Sequence, residues 1–203
     1  AAKRRGITVT HVPAYGTEAV AEHAFALLLT ATRKLLAADH HVRQGMFDWR
    51  PFRGTELAGK TIGIVGTGAI GCRVGEIAKG FGMRILGYEV QPNTKRAQEI
   101  GMQYVDLQSL LRESDIISVH VTLTSKTKRL IGEKEIEMMK DGAVIVNTSQ
   151  GKVIDEKALA DALRSRKLSC AGLDVFEEEP PTPSNPLFQL ENTVLSPHIG
   201  FYT

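Results

Sequence analysis

The sequence predicts an α/β protein built on a doubly wound parallel sheet. Short apolar runs recur from residue 61 onward, separated by stretches of about ten residues with helical spacing, the alternation of βαβ units. The first of them, 61–65, is apolar apart from its first residue rather than alternating, as a strand covered on both faces is. Polar residues collect just after them, at the carboxyl ends of the strands, where open parallel sheets place ligands.

The 203 residues suffice for one well-cored domain or a domain with a piece of another. Composition is that of an ordinary soluble chain, with 42% hydrophobic and 24% charged residues and a net charge of +2. The densest basic clusters, Lys3-Arg4-Arg5 and Lys126 to Arg129, are short and lack aromatic neighbours, so they read as solvated faces rather than a nucleic-acid footprint. Cys72 and Cys170 stand far apart, which fits a reducing, cytoplasmic compartment and neither a disulfide framework nor a metal site. The apolar stretch 24–29 is too short to span a bilayer. The opening "AAKRR" is no signal peptide and reads as a cut inside a longer protein.

In order along the chain, 7–12 is a β-like run closed by Pro13. Thr17 is a candidate cap for a long helix over 18–42, whose apolar positions Val20, Phe25, Leu28, Leu29, Leu35 and Leu36 fit a helical stripe. "RQGMFDWRPFRG" (43–54) is a connector. Strands are expected at 61–65, 84–88, 102–105 (an edge), 116–120, 143–146, 170–175 and 193–195. Helices are expected at 69–81, 94–100, 107–113, 133–139 and 156–164, the last capped by Asp155. Right-handed crossovers join the parallel strands.

"TIGIVGTGAIG" places Gly66, Gly68 and Gly71 between a buried strand and a helix, with Ala69 and Ile70 at the helix start. Glycines there allow the tight turn, approach of backbone to a pyrophosphate and close helix–strand packing, and the helix N-terminus offers free N–H groups. Glu89 closes the second strand, where an acid accepts the adenosine ribose hydroxyls and repels a 2′-phosphate. A dinucleotide site of the Rossmann kind follows, favouring NAD over NADP, with Lys95 and Arg96 close in sequence. His11, His23, His40 and His41 are left to packing and surface roles.

Further motifs lie in order: "VAEHAFALLL" (20–29), "FGMRILGYE" (81–89), "SDIISVHVTLTSKT" (114–127), "MMKDGAVIVNTSQG" (138–151), "VIDEKALADAL" (153–163), "AGLDVFEEEP" (171–180) and "SPHIG" (196–200). With the glycine motif they make the sequence resemble, nearly end to end, the NAD-binding domain of the D-isomer-specific 2-hydroxyacid dehydrogenases. The resemblance implies hydride transfer between a nicotinamide and a 2-hydroxy or 2-keto acid. It assigns His198 as general acid/base and Glu179 as its partner. It gives cofactor contacts at Ala69, Ile70, Glu89, Val121, Thr122, Thr127, Thr148, Asp174 and Gly200, and leaves His120 supporting its loop. Thr122 stands where the family usually has Pro.

The larger departure is Gln150, where the family motif N-T-x-R-G carries an arginine that binds the substrate carboxylate. Lys152, two residues on, could lend the missing charge or simply face solvent. By the same resemblance 1–16 is the end of a substrate domain, 17–56 a linking helix and connector, and 57–203 the dinucleotide-binding domain. The implied partners are a small 2-keto or 2-hydroxy acid and a second copy docked through the 18–42 helix region, with no nucleic acid or membrane. The alternative is a non-catalytic, redox-sensing NAD(H)-binding module, since the family includes corepressor relatives.

Overall fold

The computed structural model describes residues 2–10 and 15–203. Seven strands, β1 (Thr61–Val65), β2 (Arg84–Tyr88), β3 (Met102–Tyr104), β4 (Ile116–Val119), β5 (Ala143–Asn147), β6 (Leu168–Leu173) and β7 (Thr193–Leu195), form one wholly parallel sheet. Its order is β3-β2-β1-β4-β5-β6-β7. β1, β4 and β5 are buried at every position, which is why their sequences are mostly apolar, with Thr61, Ser118 and Asn147 the polar residues among them. The chain lays strands outward from β1 to the β3 edge, then returns to put β4 on the other side of β1. The crevice between the carboxyl ends of β1 and β4 is therefore the topological switch point.

Helices cover both faces. α1 (Thr17–Thr32), α3 (Ala69–Gly80) and α4 (Thr94–Ile100) lie on one, with Phe25, Leu28, Ile62, Ile64 and Val146 in that core. α5 (Leu107–Glu113), α6 (Glu133–Met138) and α7 (Glu156–Arg164) lie on the other, around Leu110, Leu111, Ile117, Ile145 and Leu163. Three of these helices carry a side-chain N-cap: Asn93 for α4, Asp106 for α5 and Asp155 for α7, the last accepting from the Ala158 N–H at 3.1 Å. No helix of the described residues is long and apolar enough to cross a membrane.

The single helix expected over 18–42 is two. α1 ends at Thr32 and α2 (Leu35–Arg43) follows a break in which Lys34 is left-handed at φ 53°. The connector causes it: the Thr55 N–H donates to the Thr32 carbonyl at 3.0 Å, and the Lys34 N–H turns back to Ala31. α1 buries its stripe on β5, β6 and β7, whereas α2 buries no residue, so the apolar periodicity runs through a point where packing stops. Thr17 is the first helical residue rather than the cap; Gly16 takes that place at φ 74°, with no side-chain cap. Of the run expected over 7–12, residues 7–10 have no regular structure and the rest, with Pro13, lies outside the described residues. The strand expected at 170–175 runs two residues earlier, because its register on β5 ends with Asn147 opposite Leu173, leaving Asp174 at the strand mouth.

Candidate active site

Six loops meet at the carboxyl edge of the sheet. The first joins β1 to α3. Gly66 sits at φ 95°, and a Cβ there would lie 2.7 Å from the Val121 nitrogen, so only glycine lets the loops after β1 and β4 touch at the switch point. A Cβ on Gly71 would strike the Gly66 carbonyl oxygen at 2.0 Å. Gly68 has open space instead, and with Ala69 it faces solvent. The helical ladder starts with the Cys72 N–H on the Gly68 carbonyl, which leaves the N–H groups of Ala69, Ile70 and Gly71 outside it.

Glu89 stands at the rim after β2. Its Oε2 accepts from the Thr67 N–H at 3.0 Å and its Oε1 from the Val90 N–H at 2.8 Å, so the carboxylate is fixed beside the glycine turn with lone pairs to spare. Arg96 is engaged by Glu76 and by Glu99, the latter at 2.8 Å, and is not free to cancel that charge. A cavity of about 450 Å³ opens here between Thr17, Gly68, Ala69, Arg73 and Asn93. Free N–H groups, an open glycine and a fixed acid at the rim suit a dinucleotide with unphosphorylated ribose.

The loop after β4 is built on His120 and Thr127. Burial pushes the His120 pKa down to about 4, and its Nε2 lies 2.7 Å from the Ser118 hydroxyl, so the ring is neutral and structural. Val121 is half-buried and Thr122 exposed. The Thr127 hydroxyl donates to the Thr122 carbonyl at 2.6 Å and accepts from the Thr124 N–H at 2.7 Å, which shapes the loop from within. A ligand contact from Thr127 therefore has to share that oxygen.

After β5, buried Asn147 folds the next turn. Its Oδ1 accepts from the Ser149 N–H and hydroxyl at 3.0 and 2.9 Å, and its Nδ2 donates to the Gln150 carbonyl at 3.1 Å. Thr148 is 8% exposed and its hydroxyl has no partner among the described residues. A buried unpaired hydroxyl costs about 1–3 kcal/mol, which a ligand hydroxyl or amide would relieve. Gln150 is exposed at the sheet edge with its side chain free of the turn, and Lys152 is exposed as well.

The loops after β6 and β7 bring the acid and the imidazole together. His198 Nδ1 lies 2.7 Å from Glu179 Oε2, and Glu179 Oε1 accepts from the Phe176 N–H at 3.0 Å. An ionised carboxylate only accepts, so Nδ1 carries the proton and Nε2 is left to face a ligand. Phe176, Pro180, Phe188, Leu195 and Pro197 line a cavity of about 420 Å³ beside the pair. Glu177, by contrast, is drawn off to Arg129 at 3.0 Å. Asp174, 1% exposed, accepts from the N–H groups of Ile199 at 3.0 Å and Gly200 at 2.8 Å. Its Oδ2 keeps a lone pair for a ligand amide. His23 of α1, left by the sequence to packing or surface, reaches the same carboxylate at 3.2 Å. Its one sequence signal is a polar ring within two residues of the buried Ala21 and Ala24.

The model of the D-isomer-specific 2-hydroxyacid dehydrogenase NAD-binding domain matches residues 25–200. The chain is 49% identical over 201 residues to a glyoxylate reductase of Korarchaeum cryptofilum, covering 97% of this chain and 60% of that one. It is 44% identical over 203 residues to a D-3-phosphoglycerate dehydrogenase of Archaeoglobus fulgidus, covering 100% of this chain and 38% of that one. Among solved structures, D-lactate dehydrogenase from Aquifex aeolicus complexed with NAD and lactic acid superposes with a TM-score of 0.90 at 39% identity, over 100% of this chain and 65% of that one. The chain thus spans about three fifths or less of the curated relatives it matches.

Proposed function

The chain belongs to the D-isomer-specific 2-hydroxyacid dehydrogenase family, and from that premise we propose that it is the cofactor domain of an NAD-dependent oxidoreductase interconverting a 2-keto acid and a D-2-hydroxy acid. The observation that carries the reading is the His198–Glu179 pair at 2.7 Å, on the sheet edge that also holds the glycine turn.

A bound nicotinamide would supply or take the hydride. The rest falls to side chains of this chain. His198 delivers a proton from Nε2 to the keto oxygen during reduction and removes it during oxidation. Glu179 holds the ring through Nδ1 and stabilises its cationic form. Gly66 to Gly71, with Ala69 and Ile70, receive the pyrophosphate. Glu89 takes the adenosine ribose, and Val121, Thr122, Thr127, Thr148, Asp174 and Gly200 line the way to the nicotinamide. Supporting Glu89 are its fixed position and the engagement of Arg96 by other acids.

Gln150 is the weakened anchor for the substrate carboxylate. Its amide offers the carboxylate one NH2 group and no charge, whereas arginine offers a charged fork of donors that can engage both oxygens. Loss of about 1.4–4 kcal/mol of transition-state binding amounts to about 10- to 1000-fold in rate. Gln150 also favours the second reading, an NAD(H)-binding module without turnover.

The domain division at 1–16, 17–56 and 57–203, cytoplasmic residence and a homodimer belong to the same reading. α2 buries nothing of its own, and Leu35 and Leu36 at its start and Phe47 and Trp49 in the connector after it stand exposed, as a surface awaiting a second copy would.

The test is to compare the full-length parent with Gln150→Arg in NADH-dependent reduction of glyoxylate, hydroxypyruvate and pyruvate. The enzymatic reading expects turnover by the parent and a gain of about tenfold or more in the variant. NADH binding with no turnover by either protein would overturn it in favour of the binding module.

A further inference from the structure

We propose that His23 is a positioning residue, which together with Ser196 holds the Asp174 carboxylate and through it the 198–200 turn that carries His198. The proposal rests on the enzymatic reading of His198 for its catalytic consequence, and on geometry alone for the clamp.

The donors around Asp174 can be counted. Oδ1 accepts from the Ser196 hydroxyl at 2.5 Å and the Ile199 N–H at 3.0 Å; Oδ2 accepts from the Gly200 N–H at 2.8 Å. The main-chain oxygen of Asp174 accepts from the His198 N–H at 2.8 Å. Ser196 has a single proton and gives it to Asp174, so at 2.9 Å from His23 Nε2 its oxygen accepts. The His23 proton is therefore on Nε2, where it bridges Ser196 and, at 3.2 Å, Asp174. Among the described residues, His23 is the partner of this buried carboxylate that can carry a positive charge. Its ring also backs the turn: a Cβ on Gly200 would meet His23 Cδ2 at 3.3 Å.

What the clamp restrains is a strained segment. His198 is left-handed at φ 57°, a conformation that persists in a non-glycine residue where neighbouring bonds over-determine it. Four hydrogen bonds from Ser196, His198, Ile199 and Gly200 converge on one residue, Asp174. Burial of Ala21, Ala24, Leu27 and Leu28 already docks α1 on the sheet. The imidazole adds a polar tie between that helix and the turn. A shift of α1 is thereby passed to the ring that transfers the proton.

The experiment uses the full-length protein with His23→Ala, His23→Gln and Ser196→Ala. Amide exchange over 196–203 should rise by about tenfold in His23→Ala and Ser196→Ala relative to the rest of the chain. kcat for 2-keto acid reduction should fall by about 10- to 100-fold, with a smaller rise in KM for NADH because Asp174 and Gly200 also face the cofactor in the proposed reading. His23→Gln keeps an N–H at the same reach and should restore both. Unaltered exchange over 196–203 in soluble, folded His23→Ala, or failing that in Ser196→Ala, would overturn the clamp. Exchange needs no turnover, so a parent that reduces no 2-keto acid would sink the enzymatic reading alone while the clamp is still tested. Lost kcat without rescue by His23→Gln would overturn the assignment of a donor at this position.

Discussion

In the proposed reading Glu89 selects the cofactor through the position of two oxygens. Both are tied to backbone N–H groups, so the side chain is held at the rim before any ligand arrives. Removing it takes away charge-assisted bonds to a ribose, worth about 1.5–3 kcal/mol. Glu89→Ala is expected to weaken NADH by about 10- to 100-fold in fluorescence titrations and to narrow the preference over NADPH, while Glu89→Gln, which keeps an acceptor, relaxes the preference with less loss of NADH. Unchanged NADH-to-NADPH selectivity in Glu89→Ala would remove the ribose role. This residue was legible because strand, glycine turn and acid recur at a fixed interval in sequence. The pairing of His198 with Glu179 was legible only through family resemblance, since their spacing alone implies no contact. The partner of His23 was not legible: its bond to Ser196 joins residues 173 positions apart, and a polar ring beside Ala21 and Ala24 does not announce the buried carboxylate it meets.

Among the elements, the sheet and its helices could be read almost strand by strand, because burial on both faces leaves short, mostly apolar runs and side-chain caps mark three of the helix starts. The junction of α1 and α2 could not. No glycine or proline stands between Thr30 and Pro51 except Gly45, and the break is imposed by Thr55 drawing off the Thr32 carbonyl. The consequence is an α2 with its leucines outward, Leu35 at 58% and Leu36 at 59% exposure, beside a connector whose Phe47 is 96% exposed. In the proposed dimer these residues face the second copy. Sedimentation velocity on the full-length parent should give a dimer, and the double variant Leu35→Asp, Leu36→Asp should shift it to monomer with the fold retained by circular dichroism. A parent that sediments as a monomer at micromolar concentration would contradict the interface.

Across the chain as one body, the sheet order explains why chemistry gathers at a single edge. β4 returns beside β1, and the loops after β1, β4, β5, β6 and β7 open on the same side. One of them carries the glycine turn, another the unpartnered Thr148 hydroxyl and Gln150, and the last two the paired imidazole and carboxylate. In the proposed reading most cofactor contacts lie on the loops after β1, β2, β4 and β5, and proton transfer falls to His198 and Glu179 on the loops after β6 and β7, so replacing the His198 ring alone should separate the two roles. The most direct measurement is NADH oxidation with glyoxylate by full-length His198→Asn, made beside a fluorescence titration of NADH. The expected result is a kcat lower than the parent's by about 10²- to 10⁴-fold with NADH affinity nearly unchanged. A His198→Asn variant that binds NADH and reduces glyoxylate as fast as an active parent would contradict the assignment of His198 as the acid/base.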